Sequence, residues 1–176
     1  MDPLLIAGGV VMVVGVAVVF VMSRGRSLLP ETSVDSLLNK LQAPYTVLTG
    51  SIIQGEQGMI RLDYTVVSPY GVFVIQEFRE AGRVDARLNQ EMWRVSGGSG
   101  KKLYNPVWGI RKVIGKLERL VGKYPYIPLV VFTRARLTGD RDNSILQVGD
   151  LIERLHSFQN ARLSEDEQKK IIGILG

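Results

Sequence analysis

The spacing of hydrophobic positions changes character along the chain. Residues 4–22 form an uninterrupted uncharged, largely apolar run. At about 1.5 Å rise per residue a helix of that length crosses a hydrocarbon core of about 30 Å, and a helix apolar on every side suits a bilayer better than a small protein core. Beyond Pro30 the spacing becomes amphipathic, with Val34, Leu37, Leu38 and Leu41 at i, i+3, i+4 and i+7 until Pro44; this predicts a first helix with proline in its opening turn. Residues 45–53, 59–68 and 72–78 are β-branched and aromatic. Residues 54–58 and Pro69-Tyr70-Gly71 separate them as turns, so the last two segments read as a hairpin. Residues 83–88 and 91–96 add two short strands, and residues 97–102 are a Gly/Ser loop ending in Lys101 and Lys102.

After Asn105-Pro106 the helical period returns, with Ile110, Val113, Ile114, Leu117, Leu120 and Val121 on one face. Residues 126–133 form a short apolar run of buried-strand type. Residues 150–158 suggest a short helix, and Ser164 with Glu167 three positions later is a capping box that opens the last one. The predicted order is α-β-β-β-β-β-α-β-α-α, an α/β fold with a mixed sheet flanked by helices, preceded by one N-terminal transmembrane helix. The expected division is an anchor over residues 1–22, a linker over 23–29 and one domain over 30–176, a length that suits a single core.

Charge sharpens the membrane reading. The formal net charge is +5, all 22 Lys and Arg lie after Met22, and Asp2 precedes the apolar run while Arg24 and Arg26 follow it. By the positive-inside rule the anchor sits in the inner (plasma) membrane as a single pass with its C-terminal domain in the cytoplasm. The run lacks the basic start and small-residue cleavage site of a secretory signal. With no Cys and one His, His156, thiolate nucleophiles and Cys/His zinc sites are excluded. His156 has no nucleophile motif beside it and reads as a solvated helix residue.

The candidate chemistry lies in the hairpin. The stretch Leu62-Asp63-Tyr64-Thr65-Val66-Val67-Ser68-Pro69-Tyr70-Gly71-Val72-Phe73-Val74-Ile75 resembles the core of the nuclease-related domain (NERD) family, in which an aspartate strand, a glycine turn and a strand ending in Glu-x-Lys follow one another. Glu31 three residues before Val34 in the first helix, Trp93 in a short strand, Asn105-Pro106 opening a helix and Val130-Val131-Phe132 in a late strand agree with it. The resemblance implies a restriction-endonuclease-like fold in which Asp and Glu hold Mg²⁺ and a lysine helps to position or activate water. The underlying physics is general: phosphodiester hydrolysis needs a hard cation on carboxylate oxygens and positive charge near the reacting phosphate.

Aligned from Gly71, the resemblance puts Asp63 on the metal aspartate, Gln76 on the glutamate and Phe78 on the lysine, with Glu31 as the helix acid. Gln76 and Phe78 depart from the pattern: one is a neutral carbonyl, the other has no proton chemistry. Glu77-Phe78-Arg79 offers a Glu-x-Arg displaced by one residue, but successive strand residues face opposite ways, so Glu77 needs a bulge to replace Gln76. Asp63 also admits a plain ion pair with Arg61, and Glu31 a plain helix-dipole role. Lys112, Lys116, Arg119 and Lys123 make a basic stripe opposite the apolar face of the Pro106 helix, and Lys101 and Lys102 precede it. Such a stripe fits phosphates of nucleic acid or anionic lipid, and equally a solvated helix face. The leading expectation is a membrane-anchored, catalytically impaired nuclease-like module that binds nucleic acid. The alternatives are an active Mg²⁺-dependent DNA nuclease and a membrane-proximal scaffold for a protein partner; the sequence leaves the oligomeric state open.

Overall fold

A computed structural model describes residues 33–55, 58–97 and 101–176. The proposed anchor over residues 4–22 and the candidate Glu31 lie outside the described residues. Among those described, no helix is long and apolar enough to cross a membrane.

The elements run α1 (Val34–Leu38), β1 (Thr46–Thr49), β2 (Ile52–Gly55), β3 (Gly58–Arg61), β4 (Tyr64–Ser68), β5 (Gly71–Phe78), β6 (Gly82–Arg87), β7 (Met92–Ser96), β8 (Lys102–Tyr104), α2 (Pro106–Leu120), β9 (Tyr126–Phe132), β10 (Ala135–Asp140), β11 (Ile145–Gln147), α3 (Leu151–His156) and α4 (Glu165–Leu175). The mixed α/β class is as expected, but among the described residues the strands form three sheets. A five-stranded sheet runs β1-β4-β5-β9-β11, a four-stranded sheet runs β10-β6-β7-β8, and β2 pairs with β3 alone. β4 and β5 make the expected hairpin, with Tyr64 opposite Ile75 and Ser68 opposite Gly71. β5 and β9 are parallel, and α2 lies in the connection between them.

Two expected strands are each broken in two. Residues 45–53 divide at Gly50, whose φ of 66° is left-handed and ends β1. Residues 59–68 divide at Leu62 and Asp63, between β3 and β4. The first helix occupies less of the predicted stretch than expected, capped by the Ser33 hydroxyl accepting from Ser36 N–H at 3.1 Å. β8, β10 and β11 are additional strands where loops were expected; β10 is polar on alternate positions and gains its place by pairing in parallel with β6.

β5 is buried on both faces, and its alternation sorts the whole molecule. Val72 and Val74, with Val130 and Phe132 of β9, face a cluster containing Val107, Ile110 and Leu117 of α2, Ile171 and Leu175 of α4, and Val84, Trp93 and Val95 of the second sheet. Phe73 and Ile75, with Leu129 and Val131, face Val34 and Leu38 of α1 and Leu151 and Leu155 of α3. So α1 and α3 cover one face of the main sheet, and α2, α4 and the four-stranded sheet cover the other.

Asn105 fixes the start of α2. Fully buried, its Oδ1 accepts from Val107 N–H at 3.0 Å, while its Nδ2 donates to the Leu88 and Gln90 carbonyls at 2.9 Å each. Proline at the next position suits the first helical turn, where no N–H is needed. Replacing Asn105 with Ala removes the cap and strands two carbonyls. The expected loss is about 2–4 kcal/mol in urea denaturation, with Asn105→Ser intermediate because it keeps the cap. A loss below about 1 kcal/mol for Asn105→Ala would mean that water replaces all three bonds.

Candidate active-site cleft

The break between β3 and β4 builds the site. Leu62 is drawn into the α2-side core, and its N–H donates to Ser51 O at 2.9 Å, while Gly50 N–H donates to Asp63 O at 2.8 Å. These bonds hold a bend that leaves the Asp63 carboxylate beyond the last β4–β5 pair. There its Oδ2 accepts from Glu77 N–H at 3.1 Å, so a side chain takes over where the strand ladder stops. The carboxylate is engaged with this backbone group rather than in the anticipated ion pair with Arg61.

Asp63, Glu77, Arg61, Tyr64 and Asp35 line one cleft of about 320 Å³. The partner that joins Asp63 there is Glu77, and no bulge is required: the β4–β5 register is continuous, and the bend at Asp63 does the re-aiming. Gln76 lies on the α2 side of β5 by alternation. Phe78 follows it there, packing against the core and stacking on Phe132 with ring centroids 5.4 Å apart. The position at which the resemblance places a lysine is therefore an apolar one.

Arg79, two residues beyond Glu77, returns to the same side as the glutamate. It grips Glu77 with both arms of its guanidinium, Nε to Oε1 and Nη2 to Oε2, each at 3.1 Å. The Glu77 side chain is only 9% exposed, against 71% for Arg79, so the arginine forms the outer cover of the glutamate. The hydrogen bond to Glu77 and then its charge hold the guanidinium pKa above its ordinary value. Tyr64 reports the field in the cleft: burial, then Glu77 and Asp35, raise its hydroxyl pKa, with Arg79 opposing and Asp63 adding to the rise.

Asp35 was not singled out from sequence, where Glu31 was taken as the helix acid. Its only sequence signal is a place beside Val34 on the polar side of a short helix. Its Oδ2 accepts from Asn39 Nδ2 at 3.0 Å. Among the described residues no three acidic, His or Cys side chains are grouped so as to hold a metal ion. Magnesium takes oxygen ligands in near-octahedral array, yet both Glu77 oxygens are engaged by Arg79 and one Asp63 oxygen by a backbone N–H. As arranged, these residues do not fit a divalent ion.

The basic candidates are elsewhere. Lys112, Lys116 and Arg119 ride on α2, which covers the face of the sheet opposite to Glu77. Lys112 Nζ donates to Tyr104 Oη at 2.9 Å and sits 5.1 Å from that ring's centroid; the hydrogen bond, then the phenol's charge, raise its pKa. Lys116 is half-buried and Arg119 exposed. Lys101 pairs with Glu80 at 3.0 Å, whereas Lys102 extends from β8 into solvent. His156 is exposed on α3, with its ring 5.6 Å from that of Tyr45. A larger concavity of about 440 Å³, walled by Arg141, Asp142, Asp150, Glu153 and Arg154, has mixed charge and holds none of the candidate residues, whereas the smaller cleft holds Asp63 and Glu77.

The Asp63–Glu77 backbone bond has a measurable weight. Asp63→Ala leaves that N–H without its acceptor and is expected to cost about 1–3 kcal/mol. Asp63→Asn retains a carbonyl acceptor and should cost less than half as much. Equal losses in chemical denaturation would show that the carboxylate's charge, and not its acceptor role, holds the bend.

No curated protein and no solved structure matches the chain significantly. The family model described as nuclease-related domain matches residues 28–133, a span that contains Asp63, Glu77, Arg79 and the whole of α2. The chain belongs to the nuclease-related domain (NERD) family.

Proposed function

We propose that this protein is a membrane-anchored, catalytically impaired nuclease-like module that binds nucleic acid. The observation that carries the impairment is the end of β5: the expected lysine position is Phe78, packed against the core, and Glu77, the acid that joins Asp63 in the cleft, is held by Arg79. An arginine stays charged at every working pH and cannot trade a proton with water as a lysine of tuned pKa can. Membership of a nuclease-related family supports nucleic acid as the ligand class. The anchor over residues 4–22 is part of the same proposal, with Arg24 and Arg26 on the cytoplasmic side of the inner membrane.

The bases on α2 are the surface proposed to carry binding. Arg111, Lys112 and Arg119 are exposed on one 15-residue helix, with Lys116 half-buried between them, and phosphates recruit such residues by releasing counterions. A strand held on this face of the fold lies away from the Asp63 cleft, which favours retention over cutting.

The test is fluorescence anisotropy of the full chain in detergent with a short DNA duplex across a salt series. Neutralising Lys112, Lys116 and Arg119 together to Gln should flatten the dependence of log affinity on log salt by about 2.7, or roughly 0.9 per phosphate contact. An unchanged slope rejects the α2 surface. Plasmid nicking with Mg²⁺ or Mn²⁺ that disappears in Asp63→Ala would restore the active-nuclease reading. Failure to bind DNA, joined to binding of anionic but not neutral vesicles, would favour the scaffold.

A further inference from the structure

We propose that Arg79 is a built-in cation that occupies the carboxylate site of the cleft, so that the site excludes divalent metal and its electrostatics are complete without one. This rests on the reading of the cleft as nuclease-derived. A carboxylate as enclosed as Glu77 needs a compensating charge, and two sources are available in such a cleft: a divalent ion from solution or a cation supplied by the chain. Here the chain supplies it. The fork geometry satisfies both oxygens of one carboxylate at 3.1 Å, which is the bidentate mode in which Arg–carboxylate bonds are strongest.

Three features make the arrangement a fixed one. Arg79 follows Glu77 by two residues at the end of a strand, so the backbone delivers the guanidinium to the glutamate's own side without closing a loop. Asp63 is tied through Oδ2 to Glu77 N–H, so one of the aspartate's two oxygens is already committed to the end of β5. Arg134 lies near enough to act on the Arg79 charge. An incoming divalent ion would have to displace the guanidinium from Glu77 and then sit beside the displaced charge. Magnesium and manganese have no route to these oxygens that avoids both costs.

Removing Arg79 therefore has a positive, gain-of-function signature. Isothermal titration of the full chain in detergent with MnCl₂ should give no saturable heat for the wild type. Arg79→Ala, with Arg79→Gln as a second variant that retains a polar side chain, should acquire one saturable site. Adding Asp63→Ala to either should weaken that site by roughly 10–100-fold, the usual consequence of losing a supporting group at a metal centre. Circular dichroism of each variant verifies the fold, and the exposure of Arg79 makes retention of the fold the expected result. A wild-type site that depends on Asp63 overturns the proposal, as does a pair of folded Arg79 variants that stay silent. A site in the variants that is indifferent to Asp63 also overturns it, because the ion would then lie outside the cleft. DNA affinity in the same preparations is measured separately with EDTA present. Loss of DNA binding rejects the functional proposal while leaving the metal titration to decide the role of Arg79.

Discussion

The two-residue period of β5 governs nearly everything about the site. Because this strand is buried on both faces, each of its side chains must go into one of two cores, and a shift of one position would expose Val72 and Val74 or Phe73 and Ile75 to the wrong neighbours. That constraint runs past the apolar stretch to the end of the strand. Gln76 and Phe78 are committed to the α2 side, where Phe78 stacks on Phe132; Glu77 and, beyond the strand, Arg79 are committed to the other. The polar end of β5 is thus the continuation of a hydrophobic pattern that could not be slipped to recover a lysine at position 78.

The bend before β4 is the complementary piece. A straight continuation of the hairpin would set Asp63 opposite Gln76, pointing to the α2 side. Instead Leu62 takes the buried place and Asp63 turns outward to accept from Glu77 N–H. One apolar residue seeking the core and one backbone donor needing an acceptor at the end of a ladder produce the same geometry from two directions. The result brings an aspartate and a glutamate together from strands whose register alone would have kept them on opposite faces.

How much of this was legible in the sequence follows from where local rules and tertiary pairing agree. The β4–β5 hairpin, the α2 stripe, the buried β9 run and the Ser164–Glu167 capping box were all readable, because periodicity, turn chemistry and caps act over a few residues. β8, β10 and β11 were not: they are short, and β10 reads Ala-Arg-Leu-Thr-Gly-Asp, with little β character until β6 lies beside it. In the site, Asp63 was identifiable and the opposite facing of Gln76 and Glu77 was deducible from the strand period. The bend that selects Glu77 was not, since it depends on Leu62 finding a core assembled from α2 and the second sheet. Asp35 was hidden for a like reason, its place being set by how α1 packs and not by spacing. The separation of α2 from the cleft required knowledge of which face each helix covers.

That separation constrains how the two functions of a nuclease fold can part. A metal site that cuts must coincide with the surface that holds the phosphate, because general acid–base help and charge stabilisation act over hydrogen-bond distances. A surface that only holds nucleic acid has no such requirement, since phosphate attraction extends over about a Debye length, roughly 8–10 Å at ordinary salt. In this chain the cleft has its own cation on Glu77, and the basic residues of α2 lie on the other side of the sheet. Under the proposed function, Phe78 at the lysine position and the Glu77–Arg79 pair beside it release the basic surface from the geometry of the carboxylates. On the proposed reading, α2 then answers only to the spacing of phosphates, and the cleft only to the stability of the strand that ends in it.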